Sequence, residues 1–256
     1  LSDPDLALAA AFDGPGSAAV GRDAGERFGR TTGVIVGTDA DAAARAADVL
    51  IDFTRPEGTL LHLAACVRHG TGAVVGTTGF SALQKAALTE QAGRIPVVFA
   101  PNMSVGVNVL VALVEAAARR LGSDFDIEIV EMHHNKKVDA PSGTALLLGR
   151  AAAEGRGVDL AARSARGRDG ETGARRRGDI GFAALRGGTV VGDHSVIFAG
   201  TAERLELSHK AEDRMIFARG ALHAALWARG KKPGLYSMAD VLGLADEFFQ
   251  KHRAVP

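Results

Sequence analysis

The run Asp48-Val49-Leu50-Ile51-Asp52-Phe53-Thr54-Arg55-Pro56 decides the fold. Three aliphatic residues in succession between acids read as a short strand buried on both faces, and Thr54-Arg55-Pro56 ends it. A helical pattern over Glu57–His69 follows, then a strand Ala73-Val74-Val75-Gly76, a helix over 81–93 and a strand Ile95-Pro96-Val97-Val98-Phe99. Upstream, Leu6–Phe12 reads as an apolar strand ending in Asp13, Val34-Ile35-Val36 as a weak strand, and Asp39–Ala47 as a short helix. Short strands alternating with helices are βαβ units, which build a parallel, Rossmann-like sheet with right-handed crossovers. Ligands of such sheets bind beyond the carboxyl ends of the strands. Phe53-Thr54-Arg55-Pro56, Gly76-Thr77-Thr78-Gly79 and Ala100-Pro101-Asn102-Met103 sit there, and their glycines and small residues let a planar ring or a ribose approach the backbone. Asp13 stands where a dinucleotide-binding unit places the acid that takes ribose hydroxyls, about twenty residues after a glycine-rich turn. That turn does not precede it, and Gly14-Pro15-Gly16 after it reads as an ordinary loop.

Beyond Phe99 the pattern changes. Ser104–Leu121 reads as a long helix capped by Ser104, and Phe125–Glu131 as a strand in which Phe125, Ile127 and Ile129 alternate with acids. Ile180–Arg186, Thr189–Ala199 and Arg204–Lys210 are strand-like runs on short turns, expected as an antiparallel meander. With the 125–131 strand they make a mixed sheet, so the fold class is α/β, a parallel-sheet domain joined to a second domain of α+β type. The helical patterns Arg214–Arg229 and Ser237–Gln250 are expected to return to the first domain. This divides the chain into 1–104 with 215–256 for the dinucleotide, and 105–214 for substrate and oligomerisation. Thr189–Ala199 is apolar on both faces: Val191 and Ile197 share one parity, Val190, Val196 and Phe198 the other. Whichever set faces outward is expected to join copies of the chain. Arg163–Gly178 carries six arginines and glycines at 167, 170, 173 and 178, and reads either as a solvated loop or as a basic flap beside an anionic substrate.

The chemistry concentrates in Glu131-Met132-His133-His134-Asn135-Lys136-Lys137-Val138-Asp139-Ala140-Pro141-Ser142-Gly143-Thr144-Ala145. Two histidines and a lysine close a strand; Pro141 bars its continuation and Ser142 caps a helix over Gly143–Glu154. The first amides of that helix, with its dipole, form a site for a carboxylate or phosphate. Adjacent strand histidines point to opposite faces, and no cysteine or acidic partner stands at ligand spacing, so no metal site is expected.

Composition narrows the partner. The chain has 256 residues, 46% hydrophobic, with 30 Lys plus Arg against 30 Asp plus Glu. That balance leaves no global basic field for nucleic acid or an anionic membrane, and no apolar run reaches the length of a membrane span. A small molecule is the expected partner. The single cysteine, Cys66, forms no intrachain disulfide, and a cytoplasmic location is expected.

The motif His133-His134-x-x-Lys137-x-Asp139-Ala140-Pro141-Ser142-Gly143-Thr144 resembles the signature of the dihydrodipicolinate reductase family. Asp52–Pro56, Gly76–Phe80, Ala100–Asn108 and Ile180-Gly181-Phe182 through Arg186-Gly187-Gly188 fall in the family's order, so the resemblance covers nearly the whole chain. It implies NADH- or NADPH-dependent reduction of 4-hydroxy-tetrahydrodipicolinate, a cyclic dicarboxylate, on the diaminopimelate route to lysine, by a homotetramer. It implies catalytic roles for His133 and Lys137, substrate contacts from His134, Ser142, Gly143 and Thr144, and cofactor contacts from Asp13, Phe53, Arg55, Gly76, Thr77, Thr78, Ala100, Pro101, Asn102 and Met103. It also implies that the family's first strand and glycine loop lie upstream of Leu1. Gly14 stands where some members carry an arginine suited to a 2′-phosphate, so NADH is expected to serve at least as well as NADPH. Two other readings fit the residues: a non-catalytic nucleotide-binding relative, and a sugar or aldehyde dehydrogenase of similar layout. The latter's Glu-Lys-Pro motif is not seen after Phe99.

Overall fold

The computed structural model describes residues 3–244. In chain order its elements begin with β1 (Ala11–Phe12), β2 (Val36–Gly37), α1 (Ala40–Ala46), β3 (Val49–Asp52), α2 (Pro56–His69), β4 (Gly72–Val75), α3 (Ala82–Ala92) and β5 (Pro96–Phe99). They continue with α4 (Val105–Leu121), β6 (Asp126–His133), α5 (Gly143–Arg156), α6 (Leu160–Arg163), β7 (Ser164–Arg166), β8 (Ile180–Arg186), β9 (Gly192–Ala199) and β10 (Arg204–Ala211). The last are α7 (Met215–Ala228), β11 (Gly234–Tyr236) and α8 (Met238–Val241). Residues 3–101 and 220–241 form one compact unit, and 102–219 with 242–244 a second.

In the first unit four parallel strands run in the order β11-β5-β4-β3. Val74, Val75, Val97 and Val98 are wholly buried, and Val75 and Val97 share one interior with Leu63 and Cys66 of α2 and Leu88 of α3. Asp39 and Ser81 cap α1 and α3 through their side chains, and Ser81 with Gln84 completes a capping box. Three expectations change here. Only Ala11–Phe12 of the run 6–12 pairs as a strand, in a separate parallel two-stranded sheet with β2. The run 48–53 is not buried on both faces: Ile51 is 37% and Phe53, just past β3, 50% exposed, and β3 is the edge strand of the sheet. Beside that edge lies a cavity of 1130 Å³ lined by residues 6–12, Val49, Leu50, Ile51 and, on α7, Leu222, Ala225 and Leu226. The short β11 has too few residues to show a period and was not anticipated.

The second unit is a five-stranded mixed sheet in the order β10-β9-β6-β8-β7. β6 lies at its centre, antiparallel to β9 and parallel to β8, so the expected meander is broken: β8 and β9 flank β6 instead of pairing. Alternate residues explain the choice. Ile127 and Ile129 of β6, Ile180 and Phe182 of β8, and Val196 and Phe198 of β9 line one buried face. Against it pack Leu110, Val114 and Ala118 of α4 and Leu148 and Ala152 of α5. The two helices meet where Gly155 sits, since a Cβ there would lie 2.4 Å from the Glu115 carbonyl oxygen. The arginine-rich run contributes β7, parallel to β8, so it is not loop throughout. Its Arg168, Arg175 and Arg177 are spent on Glu128, Asp126 and Asp124, around the start of β6 and away from His133 at its end. That pairing disfavours the basic flap. Residues 245–250 of the expected last helix lie outside the described residues, and among those described no helix is long and apolar enough to cross a membrane.

Candidate active site

The strand β6 runs two residues past the expected end, and its period of two puts Glu131 and His133 on the same buried face as Ile127 and Ile129. The inward face therefore turns from apolar to polar over its last three residues. Register brings partners to it: His194 of β9 stands opposite Glu131, and Arg186 of β8 opposite His133. Glu131, 1% exposed, receives His133 Nδ1 on Oε2 at 2.6 Å. Arg186 forks onto both carboxylate oxygens, 2.7 Å from Oε2 and 2.9 Å from Oε1. The Ser142 amide donates to Oε1 at 3.0 Å. Burial pushes the Glu131 carboxyl up, but Arg186, His133 and the Ser142 amide outweigh it and hold the group below its ordinary value.

Ser142 closes the other half. Its Oγ accepts from the Ala145 amide as the α5 cap and lies 2.9 Å from His194 Nε2. Burial, with the neighbouring His133, pushes His194 down to about 4, so it is neutral near pH 7. Its Nδ1 is buried with no hydrogen-bond partner among the described residues, and its ring meets His133 edge-on at 5.0 Å between centroids. Gly192 lies beside the pair; a Cβ there would come 2.9 Å from His133 Nε2.

The remaining residues of the motif follow β6 in the loop that leads to α5. Lys137 Nζ pairs with Asp139 at 2.8 Å, and Arg186 also donates to the Asp139 carbonyl, fixing the loop between β6 and α5. His134 is half-buried, and its amide donates to the Val190 carbonyl. Gly143 is exposed, and its amide and that of Thr144 open the α5 N-terminus. Asn102 Nδ2 donates to Thr144 Oγ1 at 3.0 Å while its Oδ1 caps the Ser104 amide. Asn102, expected beside the cofactor, thus also fixes a residue expected at the substrate.

In the first unit the three expected runs follow β3, β4 and β5. The Phe53 ring lies against Gly76, where a Cβ would overlap it, so any larger residue would push the ring aside. Thr78 and Pro101 are exposed, and Arg55 is exposed at the start of α2. Thr77 is buried: its hydroxyl accepts from Thr59 and lies 3.3 Å from Asp52. Ala100 and Met103 are core residues at 3% and 1% exposure, so only their backbone can face a ligand. Asp13 is exposed, and the Ser17 hydroxyl with the Gly14 amide lowers its carboxyl below the ordinary value. The glycine under Phe53 and the exposed small residues after β4 suit a flat ring and ribose at these strand ends.

Sequence reasoning missed the roles of Glu131, Arg186, His194 and Gly192, and of Asp52 with His62. Glu131 and His133 share strand parity, a signal available in the sequence. Arg186 and His194 enter only through strand register, which the meander expectation had wrong. Among the described residues no cluster of histidine, cysteine and carboxylate has metal-binding geometry.

A parallel sheet of βαβ units, joined in sequence to a mixed-sheet unit carrying a buried histidine beside a helix N-terminus, is the layout of a dinucleotide-dependent oxidoreductase. The chain belongs to the dihydrodipicolinate reductase family: residues 1–103 match the model of that family's N-terminus and 106–242 that of its C-terminus. A 4-hydroxy-tetrahydrodipicolinate reductase of Rhodopseudomonas palustris strain BisB18 is 59% identical over 95% of this chain and 90% of its own. The enzyme of the same name from Thiobacillus denitrificans is 56% identical, over 95% and 91% respectively. The fold also matches a dihydrodipicolinate reductase from Paenisporosarcina sp. TG-14 solved with dipicolinate bound. That match has a TM-score of 0.73 and 24% identity over 93% of this chain and 90% of the other.

Proposed function

We propose that the chain reduces 4-hydroxy-tetrahydrodipicolinate to tetrahydrodipicolinate with NADH or NADPH, on the diaminopimelate route to lysine. The observation that carries the reading is His133, held through Nδ1 by a buried carboxylate beside the open N-terminus of α5. A reduced nicotinamide, when bound, supplies the hydride. Loss of the 4-hydroxyl as water leaves a conjugated C=C–C=N unit in the ring; hydride added to that unit leaves negative charge, which is quenched by a proton that His133, in its protonated form, gives from Nε2. The amides of Gly143 and Thr144, with the Ser142 cap and the helix dipole, hold one substrate carboxylate. Lys137 exchanges Asp139 for substrate, balancing charge and serving as a second donor. His134, just past β6, contacts substrate.

On the cofactor side, Phe53, Arg55, Gly76, Thr77, Thr78 and the 100–103 run surround the nicotinamide half, Thr77, Ala100 and Met103 through backbone, and Asp13 takes the ribose hydroxyls. A 2′-phosphate would meet the Asp13 charge with glycine rather than arginine at position 14, which supports NADH serving at least as well as NADPH. The enzyme works as a homotetramer in the cytoplasm. Supporting the tetramer, the sheet face turned away from α4 and α5 carries Val130, Met132, Ala183, Leu185 and Ile197, with Leu185 50% exposed. The test is steady-state oxidation of each reduced cofactor with the enzymatically generated substrate, alongside light scattering. No substrate-dependent oxidation with either cofactor overturns the reading; a strong NADPH preference overturns the inference from Gly14, and a monomer at micromolar concentration overturns the tetramer.

A further inference from the structure

Resting on the reading of His133 as proton donor, we infer that Glu131, clamped by Arg186, is a positioning residue that fixes the tautomer of His133 and ties it to the anion-binding end of α5. Glu131 is used completely. Its two oxygens take four donors: His133 Nδ1, two guanidinium nitrogens of Arg186, and the Ser142 amide. A carboxylate has no proton to give, so Nδ1 of His133 carries the hydrogen of the 2.6 Å contact. Nε2 is then the ring nitrogen that gains and loses the catalytic proton. The same carboxylate holds the Ser142 amide, so proton donor and carboxylate cradle are referenced to one group.

Arg186 makes this possible. Glu131 is buried, and an unpaired carboxylate there would take up a proton and turn from acceptor to donor, freeing the histidine. The guanidinium supplies two parallel N–H groups in the geometry a carboxylate accepts, and its bond to the Asp139 carbonyl ties the Lys137 loop to the same pair. A lysine could neutralise the charge but not hold both oxygens at once. Gly192 lets the imidazole lie against the backbone of β9, so the ring is held from both sides.

Glu131→Gln tests this because an amide has one acceptor atom for the four donors. The expected result, read by ¹⁵N chemical shifts at a pH where the ring has lost its extra proton, is that His133 is the Nδ1–H tautomer in the wild type and Nε2–H in the variant. Removing the partner that orients a working histidine should lower kcat roughly 10- to 100-fold while the KM of the cofactor stays put. In the His133→Gln background, Glu131→Gln should cost no further activity. Arg186→Lys, which keeps the carboxylate, serves if Glu131→Gln fails to fold, and should lower kcat with the Nδ1–H tautomer weakened. A wild-type His133 found as Nε2–H overturns the inference, and so does a Glu131→Gln loss that is additive with His133→Gln. Because the tautomer is measured without substrate, a wild type inactive on the dicarboxylate would sink the proposed function and leave this result standing or falling by itself.

Discussion

Each unit holds a buried carboxylate at the end of a strand with a histidine bound through Nδ1. Asp52 closes β3 and holds His62 at 2.7 Å; Glu131 lies two residues from the end of β6 and holds His133 at 2.6 Å. What differs is the rest of each shell. Asp52 receives the Thr54 amide and hydroxyl at 2.7 Å each, and Thr77 at 3.3 Å, all neutral groups from the loops after β3 and β4. Glu131 receives a guanidinium fork and the amide that opens a helix. His62 comes from the middle of α2 and packs edge-on against Phe12 of β1, so it serves as a strut between that helix and the strands β1 and β3. His133 lies on the strand itself, next to the open end of α5. A buried acid and histidine are thus no evidence of proton chemistry on their own; the adjoining guanidinium and helix N-terminus separate the two pairs.

Parallel substitutions test that separation most severely. His133→Gln is expected to lower kcat by about 10²–10⁴-fold with cofactor affinity nearly unchanged, as for a lost proton donor. His62→Gln should leave kcat near the wild-type value. Steady-state kinetics with calorimetric cofactor titration measures both, and equal losses would erase the distinction. Lys137→Ala comes next. Losing a charged hydrogen bond contributing about 1.5–3 kcal/mol should lower kcat/KM roughly 10- to 100-fold, through both a raised KM for the dicarboxylate and a lower kcat. Wild-type kinetics would instead leave Lys137 as a loop residue paired only with Asp139. Asp52→Asn presents an amide to donors on several sides and should destabilise the first unit by about 1–3 kcal/mol. It should raise the KM of the cofactor, because Thr54 and Thr77 lose their common acceptor, while kcat stays near wild type. A fall in kcat with KM unchanged would place Asp52 in the chemistry.

The sequence was most legible where one local signal sufficed. The apolar runs around Leu50, Val74 and Val97 marked the parallel strands, Ser81, Ser104 and Ser142 marked helix starts, and Ile127 and Ile129 marked a half-buried strand. It was least legible where long-range pairing decided the outcome. Ile180–Arg186 and Gly192–Ala199 follow one another on a short connection, which locally favours a hairpin. Placing β6 between them instead adds the partner whose Ile127 and Ile129 complete the buried face. The candidate site suffered from the same blindness. His133, Lys137 and the Ser142 cap lie in one continuous stretch and were readable; Arg186 and His194 lie 53 and 61 residues beyond His133 (186 − 133 and 194 − 133) and meet it only once the register is known. Asp52 was read as the end of a strand, because nothing local shows that a helix turn will bring His62 to it.

The mildest test separates the two clusters by pH. His194 sits beside Glu131 with its folded value lowered from 6.5 to about 4 by burial first and the charge of His133 second. Below about pH 6.5 the unfolded chain binds a proton that native His194 refuses. Stability is therefore lost as pH falls from about 6.5 to about 4, by an amount on the order of 3 kcal/mol. Asp52 behaves oppositely in timing. Burial raises its carboxyl, but His62 and Thr54 outweigh that and hold it below 3.8. Its contribution is complete above the unfolded value of 3.8 and is lost only as pH falls further through the folded one. Between pH 6.5 and 4.5 the second unit should accordingly weaken while the cluster around Asp52 holds. Hydrogen exchange at β9 amides reads the second unit, and the fluorescence of Trp227, the only tryptophan and a residue of the first, reads the other. The His194→Gln variant, unable to take up the proton, should lessen the decline at β9, leaving the part due to His209, which burial also lowers, and should leave the Trp227 signal unchanged. Exchange at β9 that stays constant from pH 7 to 4.5 in the wild type would mean that native His194 takes up its proton as readily as the unfolded chain does, and the picture of a histidine kept neutral by burial would have to be abandoned.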